Sequence, residues 1–560
     1  MTDAIKSFFS NNKVFYIVIF IIMLVQVFPF GFDYIVIADD WFAYGLLSTY
    51  QNDLMHAINL YSLYGFRPLA WLNDLIIVAP LWPNLAYALL ALTIMRFVSI
   101  VLLDRILTSC EITWGRIATV FFAFFPTLTE ATYWINAATR IVGSSFFAIL
   151  AIFLLLKYID KSNIRQNSIK LQMIDTYNSY SIFSRIPKNF YLATTLFFGV
   201  IAQGFYEQTI IFSFVLTLGV LLLRRNDIKN KLLYIIPFAN LTIIGTYYFL
   251  VRNVGYFSDR GSLNLNIFAR FSGVTAGIIR TFIYEQVPTV TNTISWGLSL
   301  LLNQYTILFV IIAIFAVILA IFTVMQPKKR SKSFLSLVVA IILAVCTLSI
   351  YFILEDNWVW VRNFYFALIG LAILMELSAK LLLKICPEKI TKRIIFAFAV
   401  PTIFLALSGF TLELVSLRAV EYNDNRIVLG ILDKMETWEI SNDSSATILL
   451  FNAPSYHQPQ INPRISSLAS VDWAINAQIR GIIGSREHPW VLPVEDGSMI
   501  NLTTTNFIIA LDENFSSRQL HFDGEYLLFS DTNEIFGILE LFEEIAEIDE
   551  INENYIFRRL

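Results

Sequence analysis

The sequence predicts an α-helical polytopic membrane protein carrying a polar C-terminal α/β domain, on three observations. The AVILMFWYC set makes up 57% of 560 residues and charged residues only 15%. Soluble domains run at about 45–50% apolar and about 25% charged. Mean hydropathy is +0.64, so the apolar excess needs the bilayer as a second solvent. The third observation is an uneven division of charge. Residues 1–420 hold 32 Lys and Arg against 20 Asp and Glu, a balance of +12, whereas residues 421–560 hold 8 against 23, a balance of −15. A basic apolar body, 1–413, thus precedes an acidic soluble domain, 414–560. The same composition excludes a disordered, collagen-like or disulfide-scaffold chain. The acidic tail argues against nucleic acid as a partner.

A spanning helix needs about 20 apolar residues. Eleven segments approach that length: Val14–Phe30, Asn84–Leu103, Ile117–Leu128, Ala137–Leu156, Phe190–Gly204, Thr209–Leu223, Leu232–Val251, Leu300–Met325, Phe334–Leu354, Phe364–Leu383 and Ile394–Leu412. The first is long and lacks a small-residue cleavage site, which predicts an uncleaved span. With the N-terminus in the cytoplasm, every lysine-rich loop falls on one side, as the positive-inside rule requires. Lys157–Lys188, Arg224–Lys231, Lys328–Lys332 and Lys384–Arg393 are such loops. The opposite side holds isolated arginines, namely Arg67, Arg140, Arg252, Arg260, Arg270, Arg280 and Arg362. With an odd number of spans, the acidic tail lies outside.

Two external segments are more than turns. Pro68–Pro80 is apolar but short, and reads as an interfacial or half-buried helix. Ile267–Tyr284 is an apolar helix interrupted by Arg270 and Arg280, suited to the interface plane or to entering a cavity. In the tail, Ala446–Phe451, Asn506–Leu511 and Glu525–Phe529 read as strands and Glu534–Ile548 as an acidic helix. Cys110, Cys346 and Cys386 form no CxxC, and the four histidines show no ligand spacing. A zinc site and a disulfide framework are therefore not predicted. No P-loop, GxSxG or GxGxxG context appears.

Chemistry concentrates in the external segments. Asp39 and Asp40, followed by Trp41, come just after an apolar span. A carboxylate at an apolar wall serves as a general base, and intramembrane charge is usually functional. Capping of a helix that starts at Trp41 is the competing explanation. Gly65-Phe66-Arg67-Pro68 puts an arginine at a helix start, where partial positive charge and free N–H groups suit a phosphate. Snorkelling of Arg67 to lipid headgroups is the alternative. Three further clusters are Glu130 and Trp134 with Arg140, then Tyr206-Glu207-Gln208, then Glu355, Asp356 and Trp358 with Arg362. Carboxylates with tryptophans suit sugars, which offer hydroxyls to acids and a C–H face to rings. Each tryptophan taken singly reads more readily as an interfacial belt residue, and it is the recurrence across four external segments that favours a site. Arg96, within the second span, requires a partner, for which Asp74 and Glu376 are the available carboxylates.

These motifs resemble membrane glycosyltransferases of the GT-C class, which place an acidic pair in the first external loop and use polyprenyl-phosphate sugars. More narrowly, Ala38-Asp39-Asp40-Trp41 and Gly65-Phe66-Arg67-Pro68-Leu69 look like the bacterial O-antigen glucosyltransferase family associated with serotype conversion. Phe66 separates the glycine from Arg67-Pro68, a departure from that family's element. Glu207 is likewise inserted into a tyrosine–glutamine element. The resemblance covers about residues 14–410 and leaves the tail unaccounted for. It implies transfer of a hexose such as glucose from a polyprenyl-phosphate donor to a glycan or lipid-linked acceptor on the external membrane face. Asp39 or Asp40 would take the acceptor proton. Arg67, Arg140 and Arg362 would bind the donor phosphate. Trp41, Glu130, Trp134, Tyr206, Glu207, Gln208, Glu355, Asp356 and Trp358 would bind sugar or acceptor. Some members of the wider class use a divalent cation, which the Asp39–Asp40 pair could bind, although two carboxylates alone are a thin site for a hard cation. The rival class is a transporter or flippase of a lipid-linked or polyanionic substrate, which would favour broken helices and midplane charges.

Overall fold

A computed structural model describes residues 8–45, 47, 67–112, 116–125, 129–167, 187–251, 266–281, 283, 287–325, 333–352, 359–455, 467–485, 487–493, 507–511, 514, 517–519, 521–523, 526–528, 546–551 and 554–559. Two compact units emerge. One comprises Met1–Asp33, Ile58–Asp74 and Leu85–Thr411; the other comprises Tyr34–Ala57, Leu75–Asn84 and Leu412–Leu560.

The first unit is helical. Its helices are α1 (Asn12–Val27), α2 (Pro68–Asn73), α3 (Ala86–Ser109), α4 (Ile117–Phe124), α5 (Thr129–Thr132), α6 (Ile135–Asn167) and α7 (Lys188–Phe205). These continue with α8 (Gln208–Leu223), α9 (Ile236–Val251), α10 (Ile267–Arg280), α11 (Thr306–Val324), α12 (Ser333–Cys346), α13 (Tyr365–Ile385) and the start of α14 (Glu388–Thr437). Each of the eleven apolar segments overlaps a helix of this set, several of them only in part. Five helices are long and apolar enough to cross a membrane: Ala86–Ser109, Ile135–Ser162, Thr306–Val324, Val361–Ile385 and Glu388–Thr437. Asn12–Val27, Gln208–Leu223, Lys231–Tyr247 and Phe334–Cys346 are apolar but shorter. The amphipathic α10 has 14 residues, about 21 Å of helix, which is short of the ~30 Å hydrocarbon core.

Small side chains let these helices approach closely, the usual device where lipid competes with apolar packing. On α13, a Cβ at Gly370 would stand 2.4 Å from the Ala344 amide nitrogen and 2.5 Å from the Ala340 carbonyl oxygen of α12. Both obstacles are backbone, so only glycine fits. Phe147 of α6 stacks on Phe198 of α7 with centroids 5.8 Å apart. Near one end of the bundle, Arg116 donates to the carbonyls of Phe9 at 2.5 Å and Ser10 at 2.8 Å. Arg224 joins Asp160 at 2.7 Å and Asp227 at 2.5 Å. Arg96 is buried, but neither expected carboxylate holds it. It donates to the Ala123 carbonyl at 2.5 Å, at the end of α4, where the last carbonyls lack intrahelical donors. Asp74 pairs with Arg140, and Glu376 accepts from the Ala118 amide at 3.0 Å.

Helix α14 runs well past its expected end at Leu412. Its 50 residues extend about 75 Å, more than twice the bilayer core. The later residues belong to the second unit, where Ile427, Val428, Ile431 and Met435 pack with Ile448, Leu450, Ile475, Ile479, Val491 and Ile509. The sheet there contains β1 (Thr447–Phe451), β2 (Trp490–Pro493), β3 (Phe507–Leu511) and β4 (Ser517–Gln519) in the order β2-β1-β3-β4. The first three are parallel and β4 is antiparallel to β3. The central strand reads as the unbroken apolar run expected of a buried parallel strand. Helix α15 (Asp472–Ile483) connects β1 to β2 and stops at Gly484, whose φ of +67° is left-handed, the usual C-terminal cap. A second antiparallel sheet has β5 (His521–Asp523), β6 (Tyr526–Leu528), β7 (Ala546–Ile551) and β8 (Asn554–Arg559) in the order β5-β6-β8-β7. The expected strands near 446, 506 and 525 are present. The expected helix Glu534–Ile548 falls mainly outside the described residues, and its last three residues open strand β7.

His488 is buried beside α15. Its Nδ1 donates to the Pro489 carbonyl at 2.6 Å, and its Nε2 accepts from Arg480 Nε at 3.1 Å. An arginine only donates, so this ring is neutral with its proton on Nδ1. Burial, helped by the Arg480 charge, pulls the His488 pKa below its ordinary value. The unfolded chain therefore takes up the proton first, and stability should fall as pH drops below about 6.5. Thermal melting between pH 7.5 and 5.5 should decline less in His488→Gln than in the parent. Equal declines would show that this ring does not titrate against folding.

Candidate functional site

In the first unit, Arg67 with Glu207 and the Arg362–Asn363 turn meet at Tyr206. Arg67 precedes Pro68, which occupies the first helical position of α2, where its missing N–H goes unnoticed and its φ is preset. Its guanidinium makes a two-pronged pair with Glu207, Nε to Oε2 at 2.7 Å and Nη2 to Oε1 at 2.6 Å. The same guanidinium lies 4.6 Å from the centroid of the Tyr206 ring, within cation–π range. Close approach of α2 and α7 brings them together. A Cβ at Gly204 would fall 2.7 Å from Leu69 Cδ1, so the glycine two residues before Tyr206 makes room for the leucine two residues after Arg67.

The Tyr206 hydroxyl accepts from Asn363 Nδ2 at 2.9 Å and lies 3.4 Å from the Tyr351 hydroxyl. Asn363 also donates to Tyr351 and receives the Trp360 amide at 2.7 Å on its Oδ1. Gln208 ties two further elements to this point, donating to the carbonyls of Asn363 at 2.7 Å and Thr347 at 3.1 Å. Next to Asn363, Arg362 pairs with Glu130 at 3.0 Å and lies 5.7 Å from the Trp360 ring. Arg140 pairs with Asp74 at 3.0 Å and sits 5.2 Å from the Trp71 ring of α2.

Accessibility separates the three arginines. The side chains of Arg67 and Arg362 remain 28% and 25% exposed above carboxylates exposed by 4% and 9%. Arg140 and Asp74 are sequestered at 8% and 0%. Burial alone would lower the Arg67 pKa, but Glu207 outweighs it and holds the guanidinium above its ordinary value. Burial, then Glu207, pushes the Tyr206 phenol up against the opposing pull of Arg67 and Arg362. Tyr206 therefore stays protonated. The buried Trp134 Nε1 and Thr129 Oγ1 have no hydrogen-bond partner among the described residues. Of the expected site residues, Glu355, Asp356 and Trp358 lie outside the described residues, as do Gly65 and Phe66 of the arginine motif.

Asp39, Asp40 and Trp41 belong to the second unit. The helical turn begins at Ala38, so both carboxylates lie within it rather than capping a helix that starts at Trp41. Asp40 is fully buried and accepts from the Tyr34 hydroxyl, whereas Asp39 is half-buried. Trp41 packs edge-on against Trp82 with centroids 4.9 Å apart. A hard divalent cation takes about six or more oxygen ligands. No group of three or more His, Cys, Asp or Glu side chains converges among the described residues, and Asp40 is already engaged by Tyr34. This donor set does not fit the divalent cation considered from sequence.

Sequence reasoning did not single out Tyr351, Asn363, Tyr34, Trp71 or the close-approach glycine Gly204. None of them carries a motif, and each is identified only by its neighbours in space. Compared with protein-family models, curated proteins and solved structures, the chain matches none.

Proposed function

We propose that this protein is a membrane glycosyltransferase that moves a sugar from a polyprenyl-phosphate donor to an acceptor hydroxyl on the external membrane face. One observation carries the reading: Arg67 and Arg362 each rest on a buried carboxylate, keep about a quarter of the side chain exposed, and flank the same tyrosine. A carboxylate beneath each guanidinium orients it, and the planar guanidinium suits the oxygens of a phosphate, whose second negative charge develops as the sugar leaves. The membrane frame of the reading is eleven spans with a cytoplasmic N-terminus, the five long helices being its firmest members. Shorter helices such as Gln208–Leu223 would be completed by their flanking turns. The prenyl tail would enter laterally from lipid.

In the reaction, the acceptor oxygen attacks the anomeric carbon and the bond from that carbon to the donor phosphate breaks. By the sequence resemblance the acceptor proton passes to Asp39 or Asp40, and Asp39 is the more exposed of the two. Charge developing on the leaving phosphate is met by Arg67 and Arg362. Preorganised donors at developing charge are usually the largest single catalytic contribution. Arg140, sequestered by Asp74 and Trp71, fixes α2 beneath Arg67. Sugar identity, acceptor and the O-antigen connection rest on the sequence resemblance.

A photoreactive prenyl-phosphate sugar tests this reading on the full chain in native-like membranes. Labelling should be competed by prenyl phosphate and fall at least tenfold in Arg67→Met and Arg362→Met. Absence of competable labelling in the parent protein would overturn the donor assignment. Movement of an intact lipid-linked sugar across proteoliposomes, without cleavage of the sugar–phosphate bond, would favour the transporter instead.

A further inference from the structure

The acidic turn is seated on the tail. Helix α15 packs against both Ala38–Asp40 and the following turn Trp41–Gly45. At the centre of that contact is Gly481. A Cβ there would stand 2.7 Å from Cε3 and Cζ3 of Trp41 and 3.1 Å from Cζ2 of Trp82. Contacts below 3.0 Å force something to move, and two packed indoles have little freedom to do so. Gly45 meets the same point from the other side, its added Cβ falling 3.4 Å from both Gly481 Cα and Trp82 Cζ2. Phe42 and Trp473 extend the contact edge to face at 5.7 Å.

Helix α15 is itself fastened to the sheet. The Asn476 side chain donates to the Val491 carbonyl at 2.6 Å and accepts from the Val491 amide at 2.9 Å, satisfying both polar groups of that strand residue. Gln478 donates to Asn425 of α14 at 2.7 Å, and Ile475 and Ile479 are core residues. The sheet thus fixes α15, and α15 fixes Trp41, one residue from Asp40 and two from Asp39.

Taking the glycosyltransferase reading as its basis, we propose that the C-terminal domain positions the proton-accepting carboxylate, with Gly481 as the positioning residue and Trp41 as the link. The acidic domain then acts on the reaction from a distance through a glycine-sized notch. Trp41 serves as the keyed side chain of that notch rather than as a platform for sugar.

Gly481→Ala separates this role from general folding. Alanine favours an interior helical position over glycine by about 1 kcal/mol, so global melting should hold while the acidic turn is displaced. Amide hydrogen exchange over residues 36–45 should quicken at least fivefold in Gly481→Ala. It should slow again in Gly481→Ala/Trp41→Phe, where the outer indole ring is gone. With a prenyl-phosphate sugar, kcat should drop tenfold or more with donor KM within twofold of the parent, and the double variant should recover at least part of kcat. Unchanged exchange over residues 36–45 would overturn the seat whatever the activity. A drop in kcat that the double variant does not relieve would overturn the positioning role. A parent protein with no transfer activity would defeat the glycosyltransferase reading, while the exchange result would still decide whether α15 holds the acidic turn.

Discussion

Arg67→Met should destabilise the protein by about 3–5 kcal/mol, the range for breaking a buried ion pair by removing one partner. The lower end is expected, because Arg67 retains partial access to solvent while Glu207 has almost none. The loss comes chiefly from Glu207, left charged in a poorly hydrated place with two strong hydrogen bonds missing. Arg67→Met/Glu207→Gln removes that stranded charge and should recover most of the stability, because replacing both partners of a buried pair is often close to neutral. Donor labelling should stay lost in both variants if the guanidinium holds phosphate. Unfolding in detergent, followed by thermal aggregation or denaturant, reads the first effect, and photolabelling reads the second. A single variant as stable as the parent would show that the pair does not organise the Tyr206 cluster. A stable double variant that still labels fully would move the phosphate site away from Arg67.

Asp39→Asn should lower transfer about 10²–10⁴-fold, the usual contribution of a general base, with little change in melting. Asparagine keeps the shape and capping ability of the side chain but cannot take the proton. Asp39 is half-buried, so losing its charge disturbs little packing. Asp40→Asn should behave differently. Asp40 is fully buried and accepts from Tyr34, and an amide there would bring two donors into a place built for an acceptor. Stability and transfer should fall together, and Tyr34→Phe should reproduce part of the stability loss. Full activity in Asp39→Asn would leave the acidic turn without a catalytic role. Equal, purely kinetic losses in both Asn variants would instead argue for a shared proton between them.

Much of the helical body was legible because its signal is local. A run such as Thr306–Val324 carries no charge across 19 residues, and nothing in the remainder of the chain alters that reading. The strands near 447, 507 and 526 were legible for the same reason, as short β-branched or aromatic runs. Partners were less so. Arg96 has no i±3 or i±4 carboxylate, and its acceptor, the Ala123 carbonyl, is a backbone group that every residue possesses. The far end of α14 was missed because apolar residues at Ile427, Ile431 and Met435 are too sparse to read as a span. They make sense only as one stripe facing a sheet.

Composition and charge asymmetry determined that this chain is helical and apolar with a distinct acidic end, because transfer to lipid and repulsion between like charges depend on residue type and little on neighbours. The positions rich in acids, arginines and aromatics were also readable, since such groups at apolar boundaries are rare. Only the tertiary structure decided which charge answers which. Arg67 with Glu207, Arg362 with Glu130 and Arg140 with Asp74 are separated by 66 to 232 residues along the chain, and no periodicity encodes such distances. It also decided that the acidic turn at Asp39–Asp40 belongs with residues beyond Leu412. The physical reason is steric: a notch without a side chain at Gly481 admits the Trp41 ring, and a missing atom leaves no mark in a sequence until its neighbour is known.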